Sequence, residues 1–469
     1  MQLRPGIPRK TICFYSKSFL ILTLFLASFV SLTSQPGYAI PAFARKYGLP
    51  CSACHIGWPI LNNFGLQFKD NGYQLGNDKD SPIYQNNAYF PITFRVTPQW
   101  HLENTNKVLI DQTGTEQGVT THGFDLSGLD IWTAGTLSKN ISFQVLPSMG
   151  EGDTFHFESA WVRFDNLLHS PWLNVKVGKF ELDNLLSEKR FLTLSGVGGA
   201  WFNYHFLPPG DSSGFGGIGD NQLGVELAGH NQNSYTRYSI ALLSSVDGNP
   251  GLTTSLVGAP GGTLSPNPNT ARTYDVMVNV NQGFAVKGLG VQRIGAFGYF
   301  GQNPTYYLTS DGTPVKGQGN RSFSRVGAFG WWFIKDLDVE TFYMHGQDNV
   351  YLGNNVAVND PNGLPPGAVG PTWNGGFVEA HYTVNPQFIF TGRYELVHMS
   401  RQANPDLAAT PSLGNVDSFT IGYRWYPIML SRAGLAIHNE YSQSKMGNLA
   451  PSGTDLTNRS LMVGFDFDY

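Results

Sequence analysis

Cys51, Cys54 and His55 are the residues of this chain whose types and spacing can do chemistry. They stand in the run Cys51-Ser52-Ala53-Cys54-His55, two thiols two residues apart with an imidazole directly after the second. Thiols at this spacing can form thioethers with the two vinyl groups of one haem, and the adjacent imidazole then reaches the iron as proximal ligand. Covalent attachment also relaxes the need for a large enclosing pocket. A disulfide would leave His55 idle, and a zinc site would need a second Cys/His cluster that the chain lacks. A thioredoxin-like pair would need a βαβ context, also missing. One covalent haem c on Cys51, Cys54 and His55 is the expectation that uses all three residues.

The residues after the motif read as a helix. Pro59 suits a first-turn position, Leu61, Phe64 and Phe68 fall at helical spacing on one face, and Gly72 can close the C-terminus. That face is expected to pack on the porphyrin, on a barrel wall, or on both.

The N-terminus sets the compartment. Arg4, Arg9, Lys10 and Lys17 surround the start of an apolar run from Phe19 to Val30, and Gly37-Tyr38-Ala39 places small residues at cleavage offsets. This is the pattern of a secretory signal peptide over residues 1–39, with maturation just before Ile40. The apolar run falls short of the ~20 residues that a spanning helix wants. Cys13 lies ahead of that run, so lipoprotein maturation has no support. The mature chain therefore keeps only Cys51 and Cys54, in a compartment where c-type attachment takes place.

Charged residues make up 14% of the chain, while glycine (55), phenylalanine (32) and tyrosine (21) are abundant. Low charge without long apolar runs suits a sheet facing lipid on one side and water on the other. A net charge of −4 gives no electrostatic case for nucleic acid. No catalytic triad, phosphate loop or metal cluster is recognisable, which leaves hydrolytic and phosphoryl-transfer chemistry unsupported.

Alternation then supplies the architecture. Phe90, Ile92, Phe94, Val96, Pro98, Trp100 and Leu102 fall on one face, and Thr93, Arg95, Thr97, Gln99, His101 and Glu103 on the other. That length exceeds the ~5–6 residues of a soluble strand and matches the ~9–11 of a membrane-spanning one. The pattern recurs to the chain end and predicts about sixteen strands. Tight turns at Ser138-Lys139-Asn140, Lys335-Asp336 and Asn385-Pro386 alternate with long Gly/Pro/Asn-rich stretches, among them Glu181–Asn221, Ser244–Arg272, Gly301–Arg321 and Gly346–Asn374. Phe465, Phe467 and Tyr469 give the alternating aromatic ending of outer-membrane barrels. The fold expected is all-β: an outer-membrane barrel over residues 89–469, with residues 40–88 as a small α-helical haem c plug. An even strand count places both ends in the periplasm.

A distal ligand must come from the barrel, because Met149 is the first methionine of the mature chain. His101, His381 and His438 each fall on the polar, lumen-facing side of a strand. His101 leads as closest in sequence, although its place near the outer end of the first strand counts against reaching a periplasmic plug. Arg95, Arg393 and Arg424 also face inward, where they could neutralise haem propionates or simply line a porin lumen. Asp211, Asp220 and Asp247 in the loops read as solvated carboxylates.

Ile40-Pro41-Ala42-Phe43-Ala44-Arg45-Lys46-Tyr47-Gly48, the Cys-x-x-Cys-His, Trp58-Pro59-x-Leu61-Asn62-x-Phe64-Gly65 and Phe68-Lys69-x-Asn71-Gly72-Tyr73 together resemble the outer-membrane porin–cytochrome fusions. The likeness is specific over about the first 35 mature residues and architectural beyond them. The resemblance implies extracellular electron transfer. Fe(II) or another metal would be oxidised at the surface, and a periplasmic carrier such as a soluble cytochrome c or a copper protein would accept the electron. Fe(II) oxidase activity is thus implied by resemblance alone. Two other readings stay open, a plug-gated diffusion porin and the same conduit run in reverse as a metal reductase.

Overall fold

The computed structural model describes residues 42–57, 60–80, 91–149, 155–183, 218, 221–244, 274–304, 307–308, 314–315, 320–347, 370–401, 412, 414–429 and 434–468. The signal peptide at 1–39, the cleavage point before Ile40, Trp58, Pro59, Phe90, Tyr469 and the carboxylates Asp211, Asp220 and Asp247 lie outside the described residues.

Sixteen strands close into one barrel. They run as β1 (Ile92–Leu109), β2 (Glu116–Ser138), β3 (Ile141–Met149), β4 (Phe155–Phe164), β5 (Asn174–Glu181) and β6 (Asn221–His230). Next come β7 (Thr236–Leu243), β8 (Asp275–Val286), β9 (Gly290–Pro304), β10 (Asn320–Ile334) and β11 (Leu337–Gln347). The last are β12 (Thr372–Asn385), β13 (Phe388–Arg401), β14 (Val416–Met429), β15 (Gly434–Met446) and β16 (Leu456–Asp468). Neighbours in sequence pair antiparallel, and β16 closes on β1 with Leu461 opposite Leu102 and Phe467 opposite Val96. Closure removes the open edges that would otherwise leave backbone groups unpaired in lipid.

The alternation read from sequence becomes two faces of this wall. On β15, His438, Glu440, Ser442 and Ser444 point inward and are buried. On β3 the same holds for Ser142, Gln144 and Ser148. Outward stand exposed apolar side chains such as Val162, Phe164, Ile240, Leu242, Val378, Phe390, Phe465 and Phe467. Contiguous exposed apolar rows of this extent are costly in water and match a bilayer.

Short turns gather at one rim, at Lys139-Asn140, Lys287-Gly288-Leu289, Lys335-Asp336 and Pro386-Gln387. The start of β1 and the end of β16 lie at that same rim, as an even strand number requires.

Boundaries differ from the sequence reading most at β1 and β2 and after the Cys-x-x-Cys-His motif. β1 and β2 extend to 18 and 23 residues, with Asn104 opposite Thr120 and Leu109 opposite Glu116. This extension carries polar residues on both faces (Asn104, Thr105, Thr120, Thr121), so alternation could not reveal it. The helix after the Cys-x-x-Cys-His motif also starts later than Pro59. Ile60-Leu61 is extended and pairs antiparallel with His55–Gly57, which puts Leu61 outside the helix.

Candidate functional site

Among the described residues the N-terminal segment holds three short α-helices, α1 (Ala42–Tyr47), α2 (Cys51–Cys54) and α3 (Asn63–Asp70). A single turn such as α2 leaves its last carbonyls without helical partners. Asn62 supplies them. Its Nδ2 donates to the carbonyls of Ala53 at 3.0 Å and Ser52 at 3.3 Å. Its backbone N–H donates to the Cys54 carbonyl at 2.9 Å. The same side chain caps α3, since Oδ1 accepts the Gly65 N–H at 3.0 Å. Gly65 completes the contact: a Cβ there would lie 2.2 Å from the Cys54 carbonyl oxygen. One asparagine and one glycine thus fix the backbone that presents Cys54 and His55.

α3 ends as expected at Gly72, whose φ of +71° opens the terminating turn, with the Tyr73 N–H donating to the Phe68 carbonyl at 2.9 Å. Of the residues assigned to its apolar face, Phe68 is buried and Phe64 is exposed. The burial is taken instead by an aromatic cluster. Phe43 stacks on Tyr73 at 4.8 Å and meets Phe68 edge-on at 5.1 Å, and Tyr73 stacks on Trp161 of β4 at 6.2 Å. Burial raises the Tyr73 hydroxyl well above the usual tyrosine range. That hydroxyl donates to Gln144 of β3 at 3.3 Å. Asp80 closes the segment's last loop. Burial would push its carboxyl up, but the N–H groups of Leu75, Gly76 and Asn77 and the Tyr47 hydroxyl hold it below the usual range.

Polar anchors bind the segment to the inner wall. Arg45 donates to the Ile92 carbonyl at 2.8 Å, and Ala42 N–H to Thr93 at 3.3 Å, both on β1. Lys69 pairs with Glu181 of β5 at 3.0 Å. Arg163 of β4 donates to the carbonyls of Lys69 at 2.8 Å and Asp70 at 3.1 Å, and pairs with Asp165 at 2.5 Å. Asp70 accepts from Arg237 of β7 at 2.8 and 2.9 Å, and Arg237 also reaches Asp183 at 3.0 Å. Arg293 of β9 donates to the Asn63 side chain at 3.2 Å. These partners lie on β1 through β9. The Cys-x-x-Cys-His end meets the opposite side, where Ile60 is buried in one cluster with Trp331 of β10 and Ile389 of β13, flanked by Ile56 and Phe333.

The inward histidines have different surroundings. His101 bonds through Nδ1 to Asp125 at 2.9 Å. It stands nine residues beyond Ile92, roughly 30 Å along the strand from the carbonyl that Arg45 holds. His381 is fully buried, with Nδ1 on Asp338 at 2.8 Å and Nε2 on Glu379 at 2.6 Å. Arg393 pairs with the same Glu379 at 2.8 Å. His438 is buried near Arg424, Arg95 and Asp466. Asp466 lies 3.2 Å from Arg95 and 3.7 Å from Arg424. Alternation placed all six on the lumen side, and the structure keeps them there.

Sequence reasoning missed Asn62, Gly65 and the Asp70–Arg163–Arg237 group. A capping pattern at Asn62 was available as a signal; nothing local marks Arg163 or Arg237. It also missed His230 on β6, buried and bonded through Nδ1 to the Asn231 carbonyl at 3.0 Å. Among the described residues no group of three or more His, Cys, Asp or Glu forms a metal-ion cluster.

No protein-family model matches this sequence, and no curated protein matches it. Solved structures similar to it include an anion-selective porin from Comamonas acidovorans, at 11% identity and TM-score 0.47, covering 81% of this chain and 99% of that one. OmpT of Vibrio cholerae matches at 11% identity and TM-score 0.45 over 81% and 97%. The channel DcaP of Acinetobacter baumannii matches at 12% identity and TM-score 0.45 over 81% and 97%.

Proposed function

We propose that this chain is a porin-type barrel of the bacterial outer membrane whose N-terminal segment plugs the periplasmic end and carries one haem c, passing electrons across the membrane. The observation that carries the haem is Cys51-Ser52-Ala53-Cys54-His55 itself, on a backbone that Asn62 and Gly65 hold in one conformation. The donor set fits the group: two thiols to hold it and His55 for the iron. Bound there, haem c supplies a one-electron site whose potential depends on axial ligands and burial.

The chain's own residues do the remaining work. Lys69, Asp70, Arg163 and Arg237 hold the segment against the wall. Ile56, Ile60, Trp331, Phe333 and Ile389 keep water from one side of the His55 strand. The outward apolar rows seat the barrel in lipid, so the segment stands at the edge of an insulating band ~25 Å tall. Both chain ends then face the periplasm. The donor is extracellular Fe(II) or another metal, and the acceptor a periplasmic carrier such as a soluble cytochrome c or a copper protein. Reversed flow would make the same conduit a metal reductase, since direction follows the potentials of the partners.

A haem stain on a denaturing gel, followed by redox titration, tests this reading. A stained wild-type band that Fe(II) reduces, and an unstained Cys51→Ser/Cys54→Ser variant with an intact barrel, are expected. Haem that Fe(II) leaves oxidised would remove the iron donor.

The barrel alone favours a second reading, a plug-gated diffusion porin. A closed sixteen-strand wall with a polar inner face is channel architecture whatever its N-terminal segment carries. A colourless protein with ion conductance in planar bilayers would select it.

A further inference from the structure

We propose that Arg459, with Lys445 beside it, binds the phosphate of a glycolipid in the outer leaflet of the membrane. The inference rests on the orientation given above, with both chain ends in the periplasm. Three observations on the outer face of the wall carry it.

The first is level. Period-two alternation turns Leu461, Val463, Phe465 and Phe467 of β16 away from the lumen, and Arg459 is the next residue of that face. The neighbouring strands change character at the same step. On β15, Tyr441 is followed on its face by Gln443 and Lys445, and on β1, Trp100 and Leu102 are followed by Asn104. Leu102, Leu461 and Tyr441 share one cross-strand row, and Asn104, Arg459 and Gln443 share the next. Phe467 lies near the rim of short turns, and Arg459 stands eight residues along the strand from it, roughly 27 Å of extended chain. A tilt of ~35–45° turns that into about 20 Å of height, close to the ~25 Å of the apolar band. Arg459 therefore stands where headgroups begin.

The second is hydrogen-bonding capacity. Arg459 is exposed, its Nε donates to Gln443 Oε1 at 3.0 Å, and among the described residues no carboxylate pairs with it. That one bond steadies the guanidinium and leaves both Nη groups for an anion. A phosphate takes two parallel N–H bonds from such a fork. Lys445 is exposed one row further out, opposite Thr457, and shares its ammonium with Asp455 at 2.8 Å. An ammonium carries three donors, so this pair leaves two.

The third is the surroundings. Tyr394 and Phe419 continue the Arg459 row over β13 and β14, and both are exposed aromatic side chains of the kind that settle at a membrane–water interface. Asp417, the carboxylate next to them, accepts from the Tyr394 hydroxyl at 2.7 Å and bonds His398 Nε2 at 3.1 Å. The neighbouring acids are thus engaged elsewhere, and a guanidinium without a carboxylate of its own at this depth suits an anionic headgroup.

The test uses the full-length protein in detergent, with bound lipid counted per chain by native mass spectrometry and the heat-modifiable gel shift confirming the barrel. The probes are lipid A with both phosphates, the same glycolipid stripped of phosphate, and phosphatidylglycerol. Wild type should retain the phosphorylated glycolipid in preference to the other two. Arg459→Gln should weaken that retention about fivefold and Lys445→Gln less, while Lys287→Gln at the opposite rim should leave it unchanged. Equal retention with and without phosphate, equal retention by wild type and Arg459→Gln, or phosphatidylglycerol held as strongly overturns the inference. So does a wild-type oligomer that Arg459→Gln dissociates with no change in lipid, since this wall would then be a contact between copies of the chain. Cleavage of residues 42–80 by protease added outside intact cells is read independently of the lipid, and it would overturn the orientation and this inference with it.

Discussion

Asp70 closes α3 and Arg237 stands on β7, 167 residues away, and the two meet through parallel hydrogen bonds of 2.8 and 2.9 Å. A carboxylate at a helix C-terminus faces the negative end of the helix dipole, so it needs a cation close by. Arg237 supplies one, and Arg163 takes the adjacent carbonyls of Lys69 and Asp70.

Arg237→Ala should release this end of the segment. Removing one partner of a buried pair costs about 3–5 kcal/mol, because the other charge stays buried and uncompensated. Burial works to raise the Asp70 pKa, but the Arg237 guanidinium overrides it and holds the carboxyl below its usual value. A depressed folded-state pKa stabilises fully above the unfolded carboxylate pKa of about 3.9 and is lost as pH falls through the folded value. Protease accessibility of residues 42–80 should therefore stay low from neutral pH down to about pH 4 and rise below it. In Arg237→Ala that accessibility should already be high at pH 7. An unchanged cleavage pattern would mean the ion pair does not hold the segment.

Gly65→Ala should separate haem loading from barrel folding. The added methyl would fall 2.2 Å from the Cys54 carbonyl oxygen, a backbone atom that cannot swing away. Overpacking of this kind costs about 1–3 kcal/mol, all of it within the segment. Haem yield per chain should fall severalfold while the heat-modifiable gel shift of the folded barrel stays. Asn62→Asp keeps the cap on Gly65 and loses the donors to Ser52 and Ala53, so its yield should lie between wild type and Asn62→Ala. Equal yields for both Asn62 variants would assign the whole effect to the donors to Ser52 and Ala53.

Val378→Arg tests the lipid-facing assignment. Val378 is half exposed near the middle of β12, between the inward Phe377 and Glu379. An arginine at the bilayer midplane of a barrel costs about 2–4 kcal/mol, falling towards zero at the interfaces. The variant should fold into vesicles with lower stability in urea titrations, and Thr341→Arg on β11, opposite Val378, should behave alike. Wild-type stability for both would place this face in water.

How much of this was legible beforehand varies with range. Period-two alternation from Ile92 onward located the wall, its two faces and the inward set of Arg95, His101, His381, Arg393, Arg424 and His438. The β1–β2 extension escaped because Thr120 and Thr121 beside Asn104 and Thr105 carry no apolar beat. The late start of α3 escaped because Leu61, Phe64 and Phe68 keep helical spacing even though Leu61 is extended. In that stretch the Asn62 cap and the His55–Leu61 pairing outweigh the local pattern.

Cys51, Cys54 and His55 are neighbours in the chain, so the proposal of haem attachment rests on a local pattern that sequence by itself supplies. Strand number and facing are likewise repeated local signals. The partners of the segment are a different matter. Arg163, Glu181, Arg237, Arg293, Trp331 and Ile389 come from separate strands, and only closure of the sheet points them at one volume. The distinction among histidines is tertiary for the same reason. His381 and His438 read alike as inward residues on polar faces. Pairing gives the first two carboxylates and sets the second over Gly464 near Asp466, because register decides which side chains share a row.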